Sequence, residues 1–141
     1  MKWFLDTSVL VAAFYLDHPH HEPSFELFAR ATPKHACCAA HTLAEVYAVM
    51  TRLPVKPPVA AEQAVLFLET MRARLTIVAL NEGEYFDAIE QAAARGVVGG
   101  KIYDALIVRC AVKSRAETIH TWNIADFTRL APEATPRVRT P

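Results

Sequence analysis

The chain has 141 residues, of which 52% are hydrophobic and 21% are charged, a composition that is typical of a folded globular domain and excludes a disordered one. Its 15 basic and 15 acidic residues cancel, so net charge provides no general attraction to nucleic acid or to an anionic membrane surface. A polyanionic partner must therefore be bound through local features, such as a metal ion or a few arginines.

The first half of the chain alternates strand and helix patterns. In chain order we predict a strand at 2–5, helices over 9–17 and 24–31, a strand at 35–40 and a helix over 42–53. Asp6 ends the first strand, and Thr7 or Ser8 is placed to cap the helix that follows. Thr42 is expected to open the helix over 42–53, and the prolines that come after residue 53 end it.

The second half continues the alternation. It is predicted to contain a helix over 60–73, a strand at 76–80, helices over 82–95 and 101–112, a strand at 117–121, a helix over 123–130 and a short edge strand at 137–139. Asn81 caps the helix over 82–95 and Gly96 closes it, while Asn123 caps the last helix. The segment KIYDALIVRCAV at 101–112 is apolar around its whole circumference, which predicts a buried helix. A lone carboxylate at Asp104, in the first turn of this helix, would cost several kcal/mol unless a partner compensated for it.

Repeated strand-then-helix units favour a parallel sheet with helices on both faces. We therefore predict a three-layer α/β/α sandwich with a central parallel sheet of four to five strands, formed by a single domain over 1–141. The three cysteines are expected to be buried free thiols. No apolar run is long enough to cross a bilayer, and Asp6 interrupts the N-terminal apolar run, so we expect no signal peptide, no membrane contact and a cytoplasmic protein.

Four acidic side chains are predicted to meet at one edge of the sheet. Asp6 ends the first strand, Glu45 follows the second strand, Asp126 follows the fourth, and Asp104 begins the helix that leads into the fourth. The carboxyl ends of parallel strands are where chemistry gathers in such sheets. Four carboxylates there repel one another and raise at least one pKa, and a hard divalent cation with oxygen ligands removes that repulsion. We therefore expect Asp104 to face a Mg²⁺ or Mn²⁺ ion.

Each acid also has a purely structural alternative. Thr42 and Glu45 have the spacing of a capping box, Asp6 has the position of a helix cap, and Asp126 has that of a first-turn acid that interacts with the helix dipole. Taken singly, these alternatives stay open for the three residues. For Asp104 the structural alternative is weakest, because its surroundings in the sequence are apolar.

Four segments of the chain resemble the acidic motifs of the PIN-domain ribonucleases, and in particular the VapC-type toxins of bacterial toxin–antitoxin pairs. They are DTSVLVA (6–12), TLAEVYAVMTRLP (42–54), GGKIYDALIVRCA (99–111) and TWNIADF (121–127), in the family's order and over nearly the whole chain. By position, the family's acidic quartet corresponds to Asp6, Glu45, Asp104 and Asp126. Its supporting polar positions correspond to Ser8, Thr121 and Asn123.

The resemblance implies a Mg²⁺- or Mn²⁺-dependent endoribonuclease that leaves 5′-phosphate and 3′-hydroxyl ends. A metal ion held by Asp6 and Asp104 is expected to make a bound water more acidic for attack on the phosphodiester, with Asp126 and Glu45 completing the ligands or holding a second ion. Asn123 is expected to orient Asp126 or the water. The resemblance also implies a homodimer and a cognate antitoxin protein that covers the site.

Two other hypotheses remain open at this point. A receiver-like regulatory domain also binds Mg²⁺ in an acidic pocket, but it needs a lysine late in the sheet, and the strand ending at 121 offers none. A catalytically silent PIN-like binding protein is the other, and the intact acidic positions argue against it.

Three further features carry weaker expectations. His18, His20 and His21 are expected to form a solvated turn rather than a metal site, because their spacing fits no well-defined site. Lys101 is the cation expected near the acids, where it could bind the RNA substrate. Apolar side chains on the helices over 42–53 and 60–73 exceed what one sheet face can cover, which favours a homodimer. They are Leu43, Val46, Tyr47, Met50, Val65, Leu66, Leu68 and Met71.

Overall fold

Five short strands and seven α-helices follow one another along the chain, which the computed structural model describes over residues 1–141. Their bounds are β1 Trp3–Leu5, α1 Thr7–Phe14, α2 His21–Ala29, β2 Ala36–Ala39, α3 Ala40–Arg52, α4 Ala61–Arg74, β3 Thr76–Val78, α5 Glu82–Ala94, α6 Lys101–Ser114, β4 Thr118–His120, α7 Ile124–Leu130 and β5 Val138–Arg139, with a 3₁₀-helix at Pro132–Arg137 before β5. Every predicted strand and helix is present, with ends that differ by a few residues.

The strands form one fully parallel sheet in the order β3-β2-β1-β4-β5. The predicted parallel sheet is therefore confirmed, with five strands. The receiver-like alternative is wrong, because flavodoxin-like sheets have the order 2-1-3-4-5. None of the helices is both long and apolar enough to span a membrane.

Alternate residues of the inner strands point into two separate cores. Leu5 and Cys38 lie in a core under α1–α4, whereas Phe4 and Cys37 lie in a second core under α6 and α7. Both faces of the sheet are covered, as a parallel sheet requires. The three cysteines are buried and free, as predicted.

The N-caps of α1 and α3 differ from the prediction. Asp6, rather than Thr7 or Ser8, is the N-cap of α1, and its side chain accepts a hydrogen bond from the Ser8 N–H. Helix α3 begins at Ala40, directly after β2, so Thr42 lies inside its first turn and the N-cap is Ala39, which has no side chain to cap with. The alternative of a capping box between Thr42 and Glu45 is therefore wrong.

The apolar surplus on α3 and α4 is smaller than predicted. Val46, Met50 and Met71 are completely buried, because α3 and α4 pack on each other over the first core. Tyr47 is 37% exposed, and on α4 Val65 and Leu66 are 45% and 62% exposed. An exposed apolar strip therefore remains, chiefly on α4.

Candidate active site

The strand order reverses between β1 and β4, because the chain winds outward from β1 to β3 and then returns to place β4 on the other side of β1. In open parallel sheets such a reversal leaves a crevice at the carboxyl ends of the two strands, and ligands bind there. Asp6 and Thr121 directly follow β1 and β4. The pairing of Leu5 with His120 therefore brings these two polar residues together.

Asp6 is the buried carboxylate of this crevice, with only 5% of its surface exposed. Its Oδ2 accepts hydrogen bonds from Ser8 Oγ and Thr121 Oγ1, each at 2.8 Å, and from the Ser8 N–H at 3.4 Å. Burial raises the pKa of Asp6, and the hydrogen bonds from Ser8 and Thr121 lower it in part. All three bonds end on Oδ2, so Oδ1 is free of them, while the residue lines the crevice.

The two hydroxyls that hold Asp6 also hold the loop after β4. Thr121 Oγ1 accepts the N–H of Asn123 at 2.9 Å, and Ser8 Oγ accepts the N–H of Trp122 at 3.0 Å. Ser8 and Thr121 therefore lie where supporting residues were predicted. Asn123 also lines the crevice, but its amide forms no hydrogen bond with Asp126, so the predicted contact between them is absent.

Glu45 reaches the crevice from α3. Its Oε1 accepts a hydrogen bond of 2.8 Å from the hydroxyl of Thr7, whose oxygen also lies 3.1 Å from that of the buried Thr42. Partial burial raises the pKa of Glu45, and the charges of Asp104 and Asp6 raise it further. Thr7 and the nearby His41 act in the opposite direction. Thr7 thus does for Glu45 what Thr121 does for Asp6, a role that sequence reasoning missed.

Asp104 is exposed rather than buried, which corrects the prediction for α6. The first turn of α6 lies outside the core, because the buried residues of the helix begin at Leu106. The walls of the crevice still exclude part of the water from the Asp104 carboxylate, and this raises its pKa. The charges of Asp6 and Asp126 raise it further, whereas those of Lys101 and His41 lower it. Its carboxylate has no hydrogen-bond or ion-pair partner in the protein.

Asp126 completes the acidic set from the first turn of α7. It lines the crevice together with Asp6 and Asp104, and its only partner is Arg129, an exposed ion pair of 3.3 Å. Lys101 lies beside these acids as predicted. With Arg95 and Arg129 it lines a cavity of about 150 Å³ that also contacts Asp104 and Asp126.

On the other side of the acids lies a larger cleft, of about 800 Å³, with aromatic walls. His18 and His20 line it, so the exposed histidine turn is packed against the site. His20 stacks on Trp122 with a ring separation of 3.8 Å, and His21 forms a 2.8 Å hydrogen bond with the Ala12 carbonyl through Nδ1. Sequence reasoning missed these aromatic contacts, because no local pattern relates the residues.

The donor set suits a hard divalent cation. Four carboxylates line adjoining parts of one crevice, and no cysteine lines it. The side-chain hydrogen bonds of Asp6 end on Oδ2, and the Asp104 carboxylate has no hydrogen-bond partner in the protein. Mg²⁺ and Mn²⁺ prefer such oxygen ligands. As they stand, no three histidine, cysteine or carboxylate side chains are close enough together to enclose an ion. The acids therefore form an open set whose mutual repulsion an ion would relieve.

Comparison with known proteins identifies the family. The model of the PIN domain matches residues 3–131. Ribonuclease VapC40 of Mycobacterium tuberculosis is 34% identical over 102 residues, which cover 72% of each chain. Ribonuclease VapC27 of the same species is 30% identical over 113 residues, which cover 80% of this chain and 79% of the relative.

Solved structures confirm the predicted fold. The crystal structure of M. tuberculosis VapC20, described as a sarcin–ricin loop cleaving toxin, has a TM-score of 0.73 at 17% identity and covers 92% of this chain and 95% of that one. VapBC2 from Rickettsia felis, bound to a DNA fragment from its promoter, has a TM-score of 0.65 at 22% identity over 99% and 98% of the two chains. At these identities the likeness extends to the fold alone.

The first prediction concerns Thr121, whose hydroxyl donates to Asp6 and accepts from the Asn123 N–H. Replacing Thr121 by Val keeps the shape of the side chain. The Asp6 carboxylate then loses one hydrogen-bond donor, and the Asn123 N–H loses its acceptor. We expect Thr121→Val to lower the free energy of unfolding by about 1–3 kcal/mol, as measured by urea denaturation. Thr70→Val, on the exposed face of α4, is the matched control and should cost much less; equal losses in the two variants would contradict the role of Thr121.

The second prediction concerns the charge of Asp104. The pKa of Asp104 in the folded protein is raised above its unfolded value of about 4. The metal-free protein should therefore lose stability as the pH rises from below about 4 through the folded-state pKa of Asp104. Asp104→Asn removes this loss and breaks no hydrogen bond. In chelator, the variant should therefore have a higher Tm than the parent at pH about 7 and a similar or lower one at low pH.

Thermal melts at two pH values measure this effect. Glu69→Gln, which changes an exposed acid on α4 away from the crevice, is the control and should change the Tm little at either pH. A lower Tm for Asp104→Asn at neutral pH would mean that Asp104 stabilises the metal-free fold, contrary to the charge repulsion described above.

Proposed function

The chain belongs to the PIN-domain family, and from this membership and the geometry of its acids we propose that it is a Mg²⁺- or Mn²⁺-dependent endoribonuclease, the toxin of a toxin–antitoxin pair. The observation that carries the proposal is the open set of four carboxylates at the β1–β4 reversal. Two relatives at or above 30% identity are ribonucleases. A catalytically silent PIN-like protein would have no use for such an acidic set, in which burial first and mutual repulsion second raise the pKa of Glu45 and Asp104.

The four acids would hold the metal. Asp6, Glu45, Asp104 and Asp126 all line the crevice, and one or two ions are compatible with them. When bound, the ion supplies positive charge against the phosphodiester and makes a coordinated water more acidic.

The chain's own hydrogen bonds would set the orientation of these acids. Ser8 and Thr121 hold Asp6 Oδ2, which leaves Oδ1 for the metal, and Thr7 holds one oxygen of Glu45. Asn123, whose amide has no protein partner, is free to orient water or substrate within the crevice.

Basic side chains would bind the RNA backbone beside the acids. Lys101, Arg95 and Arg129 surround the smaller cavity next to Asp104 and Asp126. A phosphate adjacent to the one being cut would lie against these cations, which offset the repulsion from the nearby carboxylates. In this arrangement Lys101 contributes to substrate binding. From the family membership we further propose that the cleaved RNA carries 5′-phosphate and 3′-hydroxyl ends.

The proposed partners follow from the same family membership. Solved structures with a similar fold include VapBC2 from Rickettsia felis and VapBC-1 from nontypeable Haemophilus influenzae. We infer that this chain is a cytoplasmic protein and that a cognate antitoxin covers its crevice. The domain is proposed to comprise all of residues 1–141, because β5 extends the sheet beyond the family match at 3–131.

The third prediction is that cleavage of single-stranded RNA needs Mg²⁺ or Mn²⁺. Incubation of an unstructured RNA with the protein should give products in either metal and none in excess chelator. Asp104→Asn should lose cleavage while remaining folded, and Glu69→Gln should retain it. Undiminished cleavage in chelator would rule out the metal mechanism, and activity with Zn²⁺ alone would point instead to the histidines at 18, 20 and 21.

The fourth prediction is a homodimer in which the exposed strip on α4 takes part. Light scattering at micromolar concentration should give about twice the 15.7 kDa of one chain. Leu66→Lys should shift the mass toward that of the monomer, because it places a charge in an apolar contact. Val98→Lys, at a still more exposed apolar position on the loop before α6, is the control. A monomeric parent protein, or dissociation by the control alone, would contradict the prediction.

A further inference from the structure

Aromatic rings occupy much of the wall of the larger cleft, directly beside the acids. Tyr103, Trp122 and His20 come from α6, the loop after β4 and the turn before α2, and they line the same space as Asp6, Glu45 and Asp104. At about 800 Å³ the cleft lies within the range of ligand-binding pockets. The metal-binding role proposed for the acids leaves these rings without a function.

Tyr103 is the ring best placed to receive a ligand. It is 49% exposed, although it lies next to Asp104 in the first turn of α6. Its ring stacks on that of His41, with centroids 5.1 Å apart and planes 8° from parallel. Its hydroxyl forms no hydrogen bond with the protein, so the side chain is held by stacking alone.

Trp122 is committed to the fold. The His20 ring stacks on its indole, with ring centroids 3.8 Å apart and ring planes 9° from parallel. Its indole Nε1–H donates to the buried Ser24 Oγ at 2.8 Å, and its backbone N–H donates to Ser8. Trp122 and His20 therefore form a fixed wall of the cleft, and the Tyr103 side chain is more exposed than that of Trp122.

We propose that Tyr103 is a stacking platform for one unpaired base of the RNA, adjacent to the bond that is cut. This inference rests on the proposed ribonuclease function and adds to it a contact that selects the substrate. A nucleobase is uncharged and has a π-face, so it fits an aromatic wall next to three carboxylates. Arg52 is the one lysine or arginine that lines this cleft. The phosphates of the strand would lie chiefly in the smaller cavity, where Lys101, Arg95 and Arg129 are next to Asp104 and Asp126.

The proposal defines a class of substrate. A base held in a duplex is stacked and paired on both sides, so it cannot reach Tyr103 without being unstacked. The substrates are therefore single strands, loops or bulges with an accessible base next to the cleaved bond, and double-stranded RNA is excluded.

A double-mutant cycle, in which the ring of Tyr103 and a base of the RNA are removed separately and together, tests this contact. The bond cut by the parent protein in an unstructured RNA oligonucleotide is first mapped in Mg²⁺, and each flanking nucleotide is then replaced in turn by an abasic residue. We expect Tyr103→Leu to lower kcat/KM on the intact RNA about tenfold, which is within the range for loss of one stacked base. One of the abasic RNAs should show a similar loss with the parent protein and little further loss with Tyr103→Leu.

Three controls make the result specific. Tyr103→Phe keeps the ring and should retain cleavage, which separates stacking from a role of the hydroxyl. Phe86→Leu changes an exposed aromatic residue on α5, outside the cleft, and should have no effect. Thermal melts establish that each variant is folded, and the abasic series on the parent protein tests the contact without any substitution.

Each contrary result has a distinct meaning. If no abasic position impairs the parent protein, or if Tyr103→Leu cleaves the intact RNA as fast as the parent, Tyr103 is not a base platform. Unchanged cleavage combined with weaker inhibition by the antitoxin would assign the ring to a protein interface and overturn the proposal. Absence of any cleavage by the parent protein would refute the ribonuclease function, and this inference with it.

Discussion

The site depends on one buried carboxylate, that of Asp6, held where β1 and β4 lie side by side. An ionised group in this position is costly unless hydrogen bonds compensate for it. Ser8 and Thr121 provide those bonds, and each hydroxyl also accepts a backbone N–H from the loop after β4. One carboxylate thereby caps α1, joins two strands and fixes the loop that leads to Asp126. Because its partners all act on Oδ2, the same network leaves the other oxygen for a ligand.

Local charge, rather than net charge, explains how a neutral protein would handle a polyanion. Partial burial, and after it the charges of neighbouring carboxylates, raise the pKa of Glu45 and Asp104 at the sheet edge, so the crevice favours a cation over a phosphate. Three cations line the cavity next to Asp104 and Asp126, whereas the cleft next to Asp6, Glu45 and Asp104 carries aromatic rings and a single cation, Arg52. This asymmetry would give an RNA strand a preferred placement, with backbone on the basic side and a base on the aromatic side.

Structural and chemical roles are shared by the same residues at this site. Asp6 is a helix cap, as its position after β1 suggested, yet it also lines the crevice. Asp126 lies in the first turn of α7, where a carboxylate interacts favourably with the helix dipole, and it too faces the other acids. An acidic residue that caps a helix, or lies in its first turn, can therefore also take part in catalysis. In an open parallel sheet the helix N-termini and the strand carboxyl ends lie at the same edge.

The sequence by itself determined the order and type of the elements, since apolar periodicity, prolines and capping residues act over a few neighbouring positions. It also determined that Asp6, Glu45 and Asp126 would share one edge, because in a parallel sheet every strand ends on the same side. Asp104 shares that edge because α6 begins there. Tertiary structure alone decided which partners these acids have. Thr7 binds Glu45 instead of a capping box forming at Thr42, and Asp104 is exposed because the first turn of α6 extends beyond the core. The stacking of His20 on Trp122 and of His41 on Tyr103 joins residues far apart in the chain. Such contacts depend on how helices are placed across the sheet, which no local pattern records.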